Sequence, residues 1–332
     1  MQIKIIQTII QTLLLSVIAI VPFIFTSSLY FPYVSGKAYL FRVLVAAAFF
    51  FWAWLFLKEK SEKRQEKNFF LPFKNILLVA IGLFFLAQLV SAFFGVDPVY
   101  SLFSSIERTE GVLQYGLWIL YFLMFVSVFR SERDWKKFFS VFIITAFFIS
   151  AVSWLTRALP QDRSIVINNP SLFGYQEQLF GIFGNPAYFA AFLLFAIGLS
   201  LIAYERKFFH PGLAHHALLA VAGFFVLTLV FTQVRGVYMG LAGGVFVFAV
   251  LSLLFLRKEQ KRLAMASGVL LLAGAVSLGI LFVAKDTDFV QNTRLLWRMT
   301  EVVEFWESDS VRERVLNWNI ALKAFKERPL FG

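Results

Sequence analysis

Long apolar runs separated by short polar segments dominate the hydropathy pattern of this chain. A helix needs about 20 apolar residues to cross the hydrocarbon core of a bilayer. The pattern therefore predicts an all-α, polytopic membrane protein with about nine transmembrane helices. We expect these spans near residues 5–25, 39–57, 75–94, 111–129, 137–157, 186–204, 214–233, 235–256 and 263–284.

The first apolar run, from Ile5 to Phe25, follows Lys4 and could resemble a signal peptide. It has no small-residue cleavage site, so we interpret it as a retained first span. Residues 1–284 then form a transmembrane helical domain, and residues 285–332 begin a large outer helical loop.

The number of basic residues alternates between high and low from one predicted loop to the next along the chain. Because basic-rich loops stay in the cytoplasm, the rich loops predict an inner amino terminus and an outer final segment. The rich loops hold Lys58, Lys60, Lys63, Arg64, Lys67, Lys74, Arg130, Arg133, Lys136, Lys137, Arg206, Lys207, Arg257, Lys258, Lys261 and Arg262, whereas the poor ones hold Lys37, Arg108, Arg157, Arg163 and Arg235.

The amino-acid composition is typical of a membrane protein and excludes chemistry that depends on cysteine. The chain has 332 residues, of which 59% are hydrophobic and 15% are charged, too few charges to cover a soluble domain. The net charge of +11 could suggest nucleic acid, but its clustering between apolar runs is typical of topology determinants. The chain has no cysteine, which excludes disulfides and thiolate ligands.

Three histidines, His210, His215 and His216, lie together in a predicted cytoplasmic loop. No carboxylate neighbours them, so we interpret this segment as a solvated loop and predict no metal site and no cofactor.

The tail after the last span has the pattern of one amphipathic helix. Ser310 with Glu313 predicts a capping box, and Pro329 and Gly332 end the segment. Taken alone, the pattern favours a helix lying on the membrane surface. The chain stops where this helix closes, so we expect the sequence to be part of a longer protein. The apolar stripe consists of Val311, Val315, Trp318, Leu322 and Phe325.

Arg235 lies in a connection so short that the seventh and eighth spans must form a tight helical hairpin. Gly236, Gly240 and Gly244 recur four apart, with Gly243 beside them, and such a face lets a neighbouring helix approach closely. Two interpretations of Arg235 stay open: an arginine that reaches lipid phosphate, or a fixed bidentate ligand for a phosphate group.

Two more outer segments carry polar candidates. In residues 180–186, Asn185 and Pro186 form a standard helix start, while the glycines before them would let backbone lie close to a ligand, and a helix amino terminus favours an anion. Residues 105–111 place Arg108 at the mouth of the fourth span, where a simple interfacial loop is the plainer interpretation.

Taken in order, these motifs resemble the O-antigen ligase and O-antigen polymerase family of bacterial envelope glycosyltransferases. The resemblance covers roughly the last two-thirds of the chain. It rests on Arg108 with Gly111, on Phe183-Gly184-Asn185-Pro186, on Arg235 with Gly236, and on Arg314, Trp318 and the Pro329-Leu330-x-Gly332 ending.

The resemblance implies a metal-independent enzyme in the bacterial cytoplasmic (inner) membrane. Its donor would be a glycan linked to undecaprenyl diphosphate, and its acceptor a lipid A core sugar or another glycan chain. By the resemblance, Arg235 and Arg314 hold the diphosphate, Arg312 is an alternative second residue, and Arg108, Gly184 and Asn185 bind substrate. The general base in such enzymes would be a histidine in the outer loop beyond Gly332, and the chain carries no outer histidine before that point.

Two other classes of protein remain as alternatives. A transporter or flippase of lipid-linked substrate should show inverted repeats, and ion-coupled transporters place Asp or Glu inside the membrane. The predicted spans have no convincing repeat and no interior acid. A non-catalytic scaffold would not need arginines on one face.

Overall fold

The computed structural model describes most of the chain as helices joined by short connections. The described residues are 2–61, 76–105, 108, 110–158, 178–209, 212–256, 261–293, 296, 297, 300, 309–327 and 329. They contain helices and no strands. The helices are α1 Gln2–Ala19, α2 Ser35–Ser61, α3 Ile76–Phe94, α4 Pro98–Phe103, α5 Val112–Val128, α6 Glu132–Ala158, α7 Pro186–Glu205, α8 Leu213–Phe231, α9 Arg235–Leu251, α10 Lys261–Val283, α11 Asp288–Asn292 and α12 Asp309–Glu327.

Each predicted span coincides with a helix, since α1–α3 and α5–α10 match the nine apolar runs within a few residues. In the described part of the chain, six helices are long and apolar enough to cross a membrane, namely α1, α2, α3, α6, α7 and α9. The apolar helices Val112–Val128, His215–Phe231 and Ser267–Val283 are shorter. The all-helical architecture is therefore confirmed for the described residues, with six helices that could cross a membrane, and the count of nine spans and their orientation stay predictions.

Several predicted features lie outside the described residues. They are Lys63, Arg64, Lys67 and Lys74, then Glu107, Arg163, His210, Arg257 and Lys258, and finally Leu330 and Gly332 of the predicted ending.

One compact unit comprises residues 1–149, 202–216 and 321–332. Its core forms where α1, α2 and α5 meet, because their apolar faces bury Leu14, Val45 and Met124 completely. One polar group buried in this core is paired across helices, since the Gln11 side-chain amide donates to the Val128 carbonyl at 2.9 Å. An unpaired amide in an apolar interior would cost several kcal/mol, on the order of 2–7, so this bond fixes α1 against the end of α5.

The first unit also contains two glycines at points of close approach between segments. A Cβ atom on Gly111 would lie 2.2 Å from the Leu102 carbonyl oxygen, and one on Gly36 would lie 2.2 Å from the Thr26 hydroxyl oxygen. Gly111 thus lets α5 begin directly against the backbone at the end of α4. The sequence analysis missed α4, although Asp97 before Pro98 is a helix-start signal, and the Asp97 side chain accepts from the Tyr100 amide at 2.9 Å.

The second compact unit comprises residues 150–201 and 217–320. Its interior is built on large side chains of α7 and α8 that exclude solvent completely, including Phe189, Leu193, Phe225 and Leu229. The outer ends of α6, α7, α8 and α9, as the predicted topology orients them, carry most of the candidate residues.

Candidate functional site

The turn between α8 and α9 holds Arg235 in a defined backbone frame. The helix α8 ends at Phe231, and Gln233 adopts a left-handed backbone with φ of +53°. Left-handed backbone is costly for a residue with a side chain and requires support from its surroundings. Gln233 is buried, and its backbone N–H donates to the Val230 carbonyl at 3.2 Å. This bond and the burial of Gln233 hold the turn, which presents half-buried Arg235 as the first residue of α9.

A side chain of α9 reinforces this turn from the other side. The Tyr238 hydroxyl donates a short hydrogen bond to the Val230 carbonyl near the end of α8. That bond ties the first turn of α9 to the end of α8. The short connection between the two helices is therefore confirmed, and their packing as a tight hairpin stays a prediction.

The predicted close approach of a helix to the glycine face of α9 is wrong for the described residues. A Cβ atom built on Gly236, Gly240, Gly243 or Gly244 would meet no atom of another segment within 4 Å. The reason is geometric: at 100° per residue, Tyr238 lies roughly opposite Gly236 and Gly240 on the helix. The face of α9 that carries Tyr238 contacts the end of α8, and the face that carries the glycines contacts no other described segment within 4 Å.

The segment before α7 forms a capped helix start, as the sequence predicts. The Asn185 side-chain oxygen accepts from the Ala187 amide at 2.8 Å, which satisfies one amide of the first turn. Gly181 and Gly184 have φ of +58° and +68°, so both adopt the left-handed conformation that favours glycine. The two glycines therefore have a local role in shaping this loop. Gly184 and Asn185 are exposed at its tip.

Three contacts join the outer ends of α6, α7 and α8. The Leu179 amide, in the loop before α7, donates to the Phe231 carbonyl at 2.9 Å. The Trp154 indole on α6 donates to the Thr228 hydroxyl at 3.0 Å, and its ring packs edge-on against Phe231 with centroids 4.8 Å apart. Phe231 is thus the common anchor, and it lies directly before the turn that carries Arg235.

Among the described residues of this cluster of helix ends, the formally charged side chains are both positive. The described segments 150–158, 178–186 and 228–240 contain Arg157 and Arg235 and no Asp or Glu. The amino termini of α7 and α9 add the positive ends of two helix dipoles. The Arg157 guanidinium lies 5.3 Å from the centre of the Phe231 ring. The arrangement therefore suits an anionic ligand such as a phosphate ester.

Arg157 is the residue that sequence reasoning missed as a site candidate. The sequence shows it only as a basic residue of an outer loop. Its proximity to the Arg235 turn depends on Phe231, which belongs to a different helix. The only available signal was the Trp154-x-x-Arg157 spacing, which puts an anchoring ring and a cation on one face of α6.

Arg108 belongs to the first compact unit and has an acidic partner. Its Nε atom lies 3.1 Å from a Glu110 carboxylate oxygen, and its guanidinium lies 5.3 Å from the centre of the Phe31 ring. A ligand phosphate at Arg108 would have to share the guanidinium with Glu110. Its assignment to substrate binding stays a prediction.

Arg312 and Arg314 lie on α12, which begins at Asp309, one residue ahead of the predicted cap Ser310. Both arginines are exposed. Val311 is buried, while the rest of the apolar stripe is exposed, with 71% of Trp318 accessible. The helix is therefore confirmed, and the pairing of Arg314 or Arg312 with Arg235 stays a prediction.

The histidine segment differs from the predicted solvated loop. His215 and His216 lie in the first turn of α8, and His215 is buried against Tyr204, with stacked rings 4.2 Å apart. The flat aromatic faces stack because burial of both rings removes apolar surface from water. Among the residues that the structure describes, no group of three His, Asp or Glu side chains is placed to hold a metal ion.

Comparison with known proteins gives one family. Residues 218–332 match the family described as O-Antigen ligase, and this segment includes Arg235, Arg312 and Arg314. No curated protein and no solved structure matches the chain. The apolar helices and this match together indicate a multi-pass membrane protein. For residues 218–332, the comparison confirms the predicted resemblance to the O-antigen ligase and O-antigen polymerase family.

Proposed function

We propose that this protein is a membrane glycosyltransferase that moves a glycan from an undecaprenyl-diphosphate carrier to a lipid or glycan acceptor on the outer face of the cytoplasmic membrane. The observation that carries the proposal is the mounting of Arg235. It begins α9 on a turn fixed by buried Gln233 and by the Tyr238 bond to α8, within the segment that matches the O-antigen ligase family.

The reaction explains why such a fixed guanidinium would be needed. When the glycosidic bond to the carrier breaks, the leaving diphosphate gains negative charge. Preorganised cations stabilise that developing charge more in the transition state than in the ground state, and this difference lowers the barrier. Arg235 supplies the fixed cation, and Arg314, or Arg312 in its place, supplies a second one from α12. The acceptor hydroxyl attacks the anomeric carbon and must lose its proton to a general base.

The direct test is transfer by the full-length protein in proteoliposomes containing an undecaprenyl-diphosphate glycan. Two acceptors should be supplied in parallel: a lipid A core and a second portion of lipid-linked glycan. Glycan on lipid A would indicate a ligase, and longer lipid-linked chains would indicate a polymerase. Absence of both products, with the donor intact and the protein correctly inserted, would contradict the proposed function.

A further inference from the structure

We propose that a cavity between the start of α6 and the end of α7 binds the headgroup and upper acyl chains of an anionic glycerophospholipid such as phosphatidylglycerol. The cavity has a volume of about 380 Å³ and belongs to the first compact unit. None of its lining residues is a candidate for donor binding, so the proposal goes beyond glycan transfer. The lining consists of Glu132, Trp135, Phe139, Ile202, Arg206 and Phe208.

The cavity lies at the level where a membrane-spanning helix leaves the hydrocarbon core. Both α6 and α7 are long and apolar enough to cross a membrane. Glu132 is the first residue of α6, and Arg206 directly follows the last residue of α7. Lipid headgroups and interfacial tryptophans occupy this level, and Trp135 lines the cavity. Because both helices would end at the same surface, this placement holds for either orientation of the chain.

The end of α7 is shaped so that it forms one wall of the cavity. Lys207 adopts a left-handed backbone with φ of +49°. Its N–H donates to the Tyr204 carbonyl at 3.0 Å, and the N–H of Phe208 donates to the Ala203 carbonyl at 3.1 Å. These two bonds form a Schellman motif, which ends the helix. Phe208 then packs edge-on against buried Phe139 of α6, with ring centroids 5.0 Å apart. Backbone bonds and ring packing together hold this wall.

The charge around the cavity is positive on balance. The described segments 130–140 and 202–209 hold six basic and three acidic residues. The Glu132 carboxylate of the lining lies 2.9 Å from the Lys136 ammonium, which also lies 5.7 Å from the centre of the Phe208 ring. Arg206 brings a guanidinium to the lining and is exposed, so a ligand can reach it. Its planar fork suits the oxygens of a phosphodiester.

The apolar part of the lining favours a lipid over a free phosphate. Four of the six lining side chains are aromatic or aliphatic, and a small polar anion would leave them exposed to water. A glycerophospholipid would place its phosphate at Arg206 and its first acyl carbons against Phe139 and Ile202. A choline group would bring another cation beside Arg206 and Lys136, so an anionic headgroup is favoured over a zwitterionic one. Basic pockets between membrane helices bind anionic headgroups in this way.

The experiment measures binding of phosphatidylglycerol and phosphatidylcholine to the full-length protein in detergent micelles by native mass spectrometry. Wild-type protein should prefer phosphatidylglycerol. Arg206→Gln should weaken phosphatidylglycerol binding by about tenfold, the effect of losing one charge-assisted contact. Ile202→Trp should weaken it as well, because the indole would fill the cavity and leave the charge unchanged. Both substituted side chains are exposed, and equal Tm values without added lipid check the fold.

Arg133→Gln is the matched control, because Arg133 is an exposed arginine of α6 that does not line the cavity. It should bind phosphatidylglycerol as the wild type does. Equal weakening in this control would assign the binding to the basic surface as a whole and overturn the proposal.

Further results would also overturn it. Unchanged phosphatidylglycerol affinity in Arg206→Gln, or no preference over phosphatidylcholine in the wild type, would remove the anionic headgroup from this cavity. Wild-type affinity in Ile202→Trp, or glycerol 3-phosphate that binds as tightly as the lipid, would exclude the acyl chains from it. The glycan-transfer assay tests the proposed function separately, since no lining residue takes part in the proposed transfer.

Discussion

The backbone amide of Leu179 donates a 2.9 Å hydrogen bond to the carbonyl of Phe231, which joins the loop before α7 to the end of α8. This bond brings a capped helix start next to the turn that carries Arg235. Two helix amino termini and two arginines therefore share one end of the second unit. That shared end is the physical basis for the proposed anion-binding site and for several of the predictions below.

Membrane orientation can be tested with reporter fusions. If the basic-rich loops are cytoplasmic, fusions after residues 65 and 133 should report an inner location, and a fusion after residue 300 an outer one. An inner location after residue 300 would remove or invert a span, and the site would then face the wrong side for an outer-leaflet donor.

Two substitutions of Asn185 distinguish a role in helix capping from a role in ligand binding. Asn185→Asp should keep the cap and the stability, since Asp caps as well as Asn and its charge is favourable at a helix start. The same charge would repel an anionic donor, so the KM for the lipid-linked glycan should rise several-fold. Asn185→Ala should instead lower stability by about 1 kcal/mol, measured as a lower Tm of the purified protein. An unaltered KM in Asn185→Asp would place the donor away from this tip.

Gly111 tests the close approach of α4 and α5. Gly111→Ala would press a methyl group against the Leu102 carbonyl, where the ideal Cβ lies 2.2 Å from the oxygen. Overpacking of this kind costs about 1–3 kcal/mol and should lower both Tm and membrane abundance. Gly82→Ala is the matched control, because its Cβ would meet no neighbour within 4 Å. Equal stability of the two variants would contradict the described packing.

Arg314 tests whether α12 contributes to the diphosphate site. If Arg314 and Arg235 bind the same diphosphate, their alanine variants should be strongly non-additive in transfer rate, because removing either disrupts one arrangement. Arg312→Ala measured in the same way identifies which arginine of α12 takes part. Additive effects for both pairs would separate α12 from the chemistry of Arg235.

Local chemistry explains why the helices could be predicted from the sequence. Runs of apolar residues set their lengths, and the Asn185-Pro186 cap sets where α7 begins, so α7 starts at the predicted residue. These features depend only on neighbours along the chain, which a single sequence contains.

Contacts between distant segments could not be predicted in the same way. The anchoring of Arg157 on Phe231 joins two helices, and no periodicity indicates which rings will meet. The glycine spacing of α9 correctly marked one face, but spacing cannot show whether another helix covers it. The stacking of His215 on Tyr204 was missed for the same reason.

The most direct test of the central claim is glycan transfer by Arg235 variants of the full-length protein, normalised to membrane abundance. We expect Arg235→Ala to lose at least about a hundredfold in rate, the scale of removing one preorganised donor to a developing oxyanion, and Arg235→Lys to recover only part of it. Arg130→Ala, whose guanidinium bonds to the Ser127 carbonyl at 2.8 Å, should transfer normally. Wild-type transfer by Arg235→Ala at normal abundance would contradict the account.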